Sequence, residues 1–260
     1  MPFSLYLLMR CNWVRLGVGA LLAVVTPISG HAAEVRIAVA ANFTEAAKEI
    51  GTLFETASGH TVVFSFGSTG QLFAQIAQGA PFDIFLAADQ TRPERAVRDG
   101  YGVAGTRFTY ATGRIVLYSA DPTLVQGAKT LEQAYFTKLA IANPVTAPYG
   151  AAAVETLQAL GVYEAVEGKI VQGMNIAQAY QFVATGNAEL GFVALSQVAR
   201  NHEGSRWQVP EALHSVIAQD AVLLSRGAAN EAARAFLTFL KGPVALTAKE
   251  KFGYRAGDSP

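Results

Sequence analysis

Four times along this chain a short apolar run breaks at an uncharged turn and restarts at helical spacing. Ala41-Asn42 follows the run Val35 to Ala40, and Gly67-Ser68-Thr69-Gly70 follows Val62-Val63-Phe64. Ala147-Pro148-Tyr149-Gly150 follows Leu139 to Ala142, and Met174-Asn175-Ile176 follows Ile170-Val171. Behind the first two turns, apolar residues recur at Ala46, Ala47, Ile50, Leu53 and Phe54, and at Leu72, Phe73, Ile76 and Ala80. Spacings of three and four mark one face of a helix. A chain that repeats strand, turn and helix folds as an α/β structure with parallel-rich sheets. Each turn then presents unpaired N–H groups at the positive end of a helix, a place that suits an anion.

The rest of the chain sets the architecture. Ile84 to Ala88 reads as a third strand, with Asp89 capping a helix through Val97. Phe108 to Tyr118, interrupted by Gly113, reads as a segment crossing between two lobes, and Val216 to Leu224 as a second. Leu190 to Leu195 is a buried strand, Ser196 to Arg200 a short helix and Asn201 to Pro210 a loop. Helices at Asn230 to Leu240 and Val244 to Phe252 return to the first lobe. The expected organisation is two α/β lobes with helices on both faces of each sheet. Residues 34–111 and 219–260 form lobe 1, and residues 112–218 form lobe 2. Two of the four turns fall in each lobe, and ligands of open α/β sheets sit beyond the carboxyl ends of the strands.

The first 33 residues have a different layout. Arg10 and Arg15 precede an apolar run from Leu16 to Val25, then Pro27, Gly30 and His31-Ala32-Ala33. That is the pattern of a secretory signal cut after Ala32 or Ala33, with an uncleaved anchor as the alternative. The apolar run is too short to span a membrane. Cys11, the single cysteine, lies before the run rather than at the cut, which argues against a lipid anchor. The mature chain then holds no disulfide, no thiolate metal site and no cysteine nucleophile. It carries 18 basic and 20 acidic residues, so neither nucleic acid nor a membrane surface is an expected partner.

Catalysis finds little support. His60, His202 and His214 are isolated in polar or loop contexts. Gly67-Ser68-Thr69-Gly70 is not the Gly-x-Ser-x-Gly nucleophile elbow, nor a P-loop, since no lysine follows its glycines. No metal-ligand cluster is visible. Taken singly, Asn42 and Asn175 read as helix caps, Ser68 and Thr69 as turn residues and Tyr149 as a packing residue. Taken together they read as an oxyanion site. A fully deprotonated dianion only accepts hydrogen bonds, so a ring of neutral donors satisfies it. A protonated phosphate needs an acceptor, which the four turns lack.

At these residues the sequence closely resembles the periplasmic molybdate-binding proteins of ABC importers, from about Glu34 to Tyr254. The motifs are Val39-Ala40-Ala41-Asn42-Phe43, Ser65-Phe66-Gly67-Ser68-Thr69-Gly70, Gly79-Ala80-Pro81-Phe82-Asp83-Ile84-Phe85 with Ala88-Asp89, Ala147-Pro148-Tyr149-Gly150, Gly191-Phe192-Val193-Ala194 and Lys241-Gly242-Pro243. The resemblance implies the two-lobed type II periplasmic binding protein fold. It implies molybdate or tungstate held between the lobes, no cofactor, no enzymatic activity, and a monomer that docks in the periplasm on a membrane permease driven by an ATPase. Carried over by position, it implies contacts from Asn42 with the backbone of Ala41, from the hydroxyl of Thr69 with Ser68 beside it, from Tyr149 through its N–H or phenol, and from the N–H of Ile176. Some members use a tyrosine where this chain has Ala194, so the tyrosine here is the one in the Ala-Pro-Tyr-Gly loop. The alternatives are a sulfate or other tetrahedral oxyanion carrier, a receptor without a transporter and, from another class, a secreted hydrolase.

Overall fold

A computed structural model describes residues 3, 32–201 and 203–256. The expected secretion signal lies, apart from residues 3, 32 and 33, outside the described residues, as does His202. Contacts divide the chain into Met1–His31 and Ala32–Pro260, and every element below belongs to the second unit.

The strands are β1 (Glu34–Ala40), β2 (Thr61–Gly67), β3 (Ile84–Leu86), β4 (Phe108–Gly113), β5 (Ile115–Ser119), β6 (Leu139–Ala142), β7 (Ile170–Gly173), β8 (Leu190–Ala194), β9 (Ser205–Gln208), β10 (Ile217–Leu223) and β11 (Arg255–Ala256). The helices are α1 (Thr44–Ser58), α2 (Thr69–Ala77), α3 (Thr91–Arg98), α4 (Lys129–Gln133), α5 (Pro148–Ala159), α6 (Tyr163–Val166), α7 (Ile176–Ala184), α8 (Leu195–Val198), α9 (Glu231–Lys241) and α10 (Pro243–Lys251). One sheet runs β11-β4-β10-β3-β1-β2 and the other β7-β6-β8-β5-β9.

Both sheets are mixed. β1 pairs in parallel with β2 and β3, and β6 in parallel with β7 and β8. The remaining pairings, through β4, β5, β9, β10 and β11, are antiparallel. The strands that lead into the four turns are therefore the parallel ones, and all four turns lie at carboxyl ends. The chain leaves the six-stranded sheet at Gly113 and enters the five-stranded one at Ile115, with Arg114 alone between them. It returns between Gln208 and Ile217.

Period-two alternation divides the six-stranded sheet between two cores. Val35, Ile37 and Val39 of β1 pack with Phe43, Phe54 and Phe236 on one face. Ala38 packs with Leu72, Phe73 and Phe85 on the other. Covering both faces is why these strands read as continuous apolar runs. Phe236 of α9 and Ala248 of α10 lie in the first of these cores, so the C-terminal helices do return to this sheet. The third core surrounds the five-stranded sheet and takes in Ala40, Ala41 and Ala88 from the six-stranded side.

Three readings change. Asn201 to Pro210 is not all loop: Ser205–Gln208 forms β9, a short edge strand on β5 whose period-two pattern the surrounding polar residues hide. Val216 to Leu224 is not itself the crossing, since β10 lies wholly within the six-stranded sheet and the crossing precedes it. Asn42 caps no helix: it sits inside a 3-10 turn, Ala41–Phe43, whose N-cap is Ala40.

One irregularity bears on the site. Gln219 pairs with Ala111 and Asp220 with Thr109, which leaves Tyr110 without an opposite residue on β10. This is a β-bulge, and its extra residue loses its place in the ladder. The buried Lys249 restores the balance: its Nζ donates to the Tyr110 carbonyl at 2.8 Å and to the Leu240 carbonyl at 3.2 Å. Burial pulls its pKa down to about 8.

Candidate functional site

Each of the four turns leaves a donor over for a structural reason. In α5, Pro148 occupies the first position and has no N–H, while Gly150 and Ala151 both donate to the Ala147 carbonyl. The N–H of Tyr149 between them finds no acceptor among the described residues. In α7, the Asn175 side chain accepts from Ala177 and Gln178, both at 3.0 Å, and so leaves the N–H of Ile176. Asn175 is thus the cap that its residue type suggests. In α2, Ser68 is the N-cap and accepts from Gln71 at 3.4 Å, Gly70 donates elsewhere, and the N–H of Thr69 remains. In the opening turn of α1, no side chain caps the N–H groups of Ala41 and Asn42.

The two hydroxyls are also pre-set as donors. Thr69 Oγ1 accepts the Ala88 N–H at 3.0 Å, so its own hydrogen points elsewhere. Thr69 is only 1% exposed, and that hydrogen has no protein acceptor among the described residues. Ser68, with Gln71 on its oxygen, is in the same position.

One tight cavity is lined by all six residues singled out from the sequence: Ala41, Asn42, Ser68, Thr69, Tyr149 and Ile176. It encloses about 200 Å³ of space free of atoms, part of it open to solvent. Ala88, Pro148 and Asn175 complete much of the remaining wall, and no charged side chain belongs to it. Gly150 makes the arrangement possible, since a Cβ there would lie 2.2 Å from the Ala142 carbonyl oxygen. The start of α5 therefore packs directly on the end of β6.

Behind this wall lies a polar network that sequence reasoning did not find. Asn42 Nδ2 donates to Gln219 Oε1 at 2.7 Å and to Tyr254 Oη at 3.0 Å. The Asn42 carbonyl accepts from Ser196 Oγ and Tyr254 Oη, both at 2.7 Å. Tyr110 Oη donates to the Ala87 carbonyl at 3.1 Å and lies 3.2 Å from Gln219 Oε1. Tyr149 Oη lies 3.4 Å from Gln219 Nε2 and 3.5 Å from Asn42 Nδ2. So the Asn42 amide is engaged by the protein, and the Tyr149 phenol reaches across from α5 to the strand that rejoins the six-stranded sheet. Burial, reinforced by their closeness to Tyr254, pushes the Tyr149 and Tyr110 phenols well above the ordinary tyrosine range, and burial also raises Tyr254. All three stay neutral. The available signal was β10 itself: Gln219 and Asp220, both fully buried, are polar residues inside an otherwise apolar strand. Asp220 is matched by Arg107 Nη1 at 2.6 Å and Thr109 Oγ1 at 2.7 Å.

Comparison with known proteins follows the same line. The family model described as "Bacterial extracellular solute-binding protein" matches residues 35–255. The molybdate-binding protein ModA of Rhodobacter capsulatus is 53% identical over 93% of this chain and 96% of its own. That of Escherichia coli K12 is 30% identical over 95% and 99%. The solved periplasmic molybdate-binding protein of Azotobacter vinelandii superposes with a TM-score of 0.83 at 36% identity, covering 86% of this chain and all of its own. With its two sheets, its donors at four strand ends and this match across nearly its whole length, the chain belongs to the bacterial extracellular solute-binding protein family.

Proposed function

We propose that this chain is the solute-binding component of an ABC importer that captures molybdate, and tungstate with it, between its two lobes. The observation that carries this reading is the convergence of four helix starts and the Thr69 hydroxyl on one pocket without a charged residue. Helix N-termini, each equivalent to about half a positive charge, offset a dianion without a buried cation. The wall offers no carboxylate to accept a proton from the ligand, which favours a fully deprotonated oxyanion over phosphate.

On this reading the donors are the N–H groups of Asn42 and Ala41, Thr69, Tyr149 and Ile176, with the hydroxyls of Thr69 and Ser68. Tyr149 contributes through its N–H, while its phenol joins the lobes through Gln219. The two lobes, expected as residues 34–111 with 219–260 and residues 112–218, are taken here to follow the sheets, as residues 34–113 with 217–260 and residues 115–208, hinged at Arg114 and at residues 209–216. Ligand binds one lobe, closure brings the second pair of turns onto it, and the closed monomer is delivered in the periplasm to a permease and its ATPase. The protein is a carrier and needs no cofactor.

Calorimetric titration of the purified mature protein tests this. Tight binding of molybdate and tungstate, with no response to sulfate or phosphate, is the expected result. Equal binding of sulfate makes this a general tetrahedral-oxyanion carrier, and binding of none of them overturns the reading.

A further inference from the structure

The start of α2 and the loop that leads into α5 are tied together outside the pocket. The N–H of Gly70, in α2, donates to the Thr146 carbonyl at 2.8 Å. One residue away, Arg92 Nη2 donates to the Val145 carbonyl at 3.0 Å. Arg92 belongs to α3 beside the six-stranded sheet, and residues 145 and 146 lie in the loop that runs from β6 into α5.

Both sides of this contact are held rigid. Asp89 Oδ1 accepts the Arg92 N–H at 2.9 Å, and Asp89 Oδ2 pairs with Arg92 Nη1. One edge of the guanidinium is thus fixed by its own lobe, and the other is left for the opposite one. Across the gap, Asn143 Oδ1 accepts the Val145 N–H at 2.9 Å, and the Asn143 carbonyl accepts Ala147 at 2.9 Å. A Cβ on Gly70 would stand 3.1 Å from Arg92 Nη2 and from Thr146 Cα and O, so the approach depends on that glycine. Arg114, by contrast, grips the Gly253 carbonyl at 3.0 Å from the point where the chain itself passes between the sheets. Such a contact stays close whatever the hinge angle. The Arg92 contact joins residues 53 apart with only the Gly70–Thr146 bond beside it, and on this division of the lobes both bonds part when the lobes open.

We propose that Arg92 is the closing latch: a positioning residue, outside the pocket, whose bond to the Val145 carbonyl sets how long the bound oxyanion stays. It deepens the functional reading above and rests on it. Association takes place on the open form and does not use the latch, whereas escape requires breaking it. The charge balance with Asp89 keeps the guanidinium from acting as a counter-ion to the ligand.

The test is the release of labelled molybdate into excess unlabelled anion, with association measured separately, for the wild type, R92Q, G70A and R95Q. A charge-assisted bond of ordinary strength corresponds to release about tenfold to a hundredfold faster for R92Q, with association within about twofold. G70A, which crowds the same contact, shifts release the same way by less. R95Q, on an exposed arginine of the same helix that pairs with Asp99, releases like the wild type. The melting temperature of ligand-free R92Q stays near that of the wild type. Unchanged release from R92Q, or slower association with unchanged release, overturns the latch while leaving the functional reading intact. A wild-type protein that binds none of molybdate, tungstate or sulfate overturns both.

Discussion

A Cβ on Gly113 would lie 2.1 Å from the phenol oxygen of Tyr149 and 2.7 Å from Gln219 Nε2. The last residue of β4, where the chain is about to leave the first sheet, is therefore glycine because the Tyr149 side chain, from α5 beside the five-stranded sheet, rests on it. Gly113→Ala forces the phenol off Gln219, with an overpacking cost of about 1–3 kcal/mol. The expected outcome is a melting temperature lower by several degrees and weaker oxyanion binding, read by calorimetry on the same samples. Binding at full strength shows that the phenol contact is dispensable for closure.

Thr69→Val keeps the shape of the side chain and removes its hydroxyl, leaving the Ala88 N–H without its acceptor. Loss of a hydrogen bond to a charged ligand weakens binding by about 1.5–3 kcal/mol, or roughly tenfold to a hundredfold. Thr69→Ser retains the donor and stays near the wild type. Equal titrations for the two variants dispose of the hydroxyl as a ligand contact.

Ile176 offers a test of a backbone donor. It occupies the first position of α7, where proline fits without breaking any intrahelical bond. Its predecessor Asn175, at φ −152° and ψ 175°, is already in the extended region that a following proline requires. Ile176→Pro therefore deletes one N–H, and Ile176→Ala is the control that loses the buried side chain and keeps the N–H. Both variants lose stability, but Ile176→Pro binds roughly tenfold to a hundredfold more weakly than Ile176→Ala in the same calorimetric titration.

Lys249 gives a pH signature. Its folded pKa of about 8 lies below the 10.5 of an exposed lysine, because burial disfavours the charge. Between those values the unfolded chain binds more protons, so this residue's contribution to stability rises with pH, by on the order of 3 kcal/mol across the whole window. The buried tyrosines act oppositely. Their folded pKa values lie above 10, so their contribution declines once the unfolded chain begins to ionise there. Denaturant unfolding of the wild type and Lys249→Met from pH 7.5 to 9.5 isolates the lysine: the wild-type curve rises relative to the variant. Parallel curves mean that Lys249 titrates normally.

The turns were legible because their chemistry is local. Proline at 148, the Asn175 cap and the Ser68-Thr69 pair each act on the backbone within four residues, and short-range spacing carries that information. The alternation of strands and helices was legible for the same reason. The network behind the pocket was not. Asn42 reaches Gln219 across 177 positions and Tyr254 across 212, and no local pattern encodes such a meeting. Asparagine at a helix start ordinarily caps, and local spacing does not distinguish that role from the one found here, an amide turned inward to Gln219 and Tyr254. The bulge at Tyr110 was hidden because a one-residue slip is defined by the partner strand, not by its own sequence.

The seating of α5, glycine against the Ala142 carbonyl, has a consequence for selection among ligands of equal charge. A backbone N–H anchored at the end of a helix, with that helix pressed onto a strand, cannot swing inward as a lysine or a water would. Such a cradle has a fixed radius. An ion too small for it leaves some donors out of reach and forfeits those bonds outright, while one too large holds the lobes ajar. What a pocket of this kind measures is the length of the bonds inside its guest.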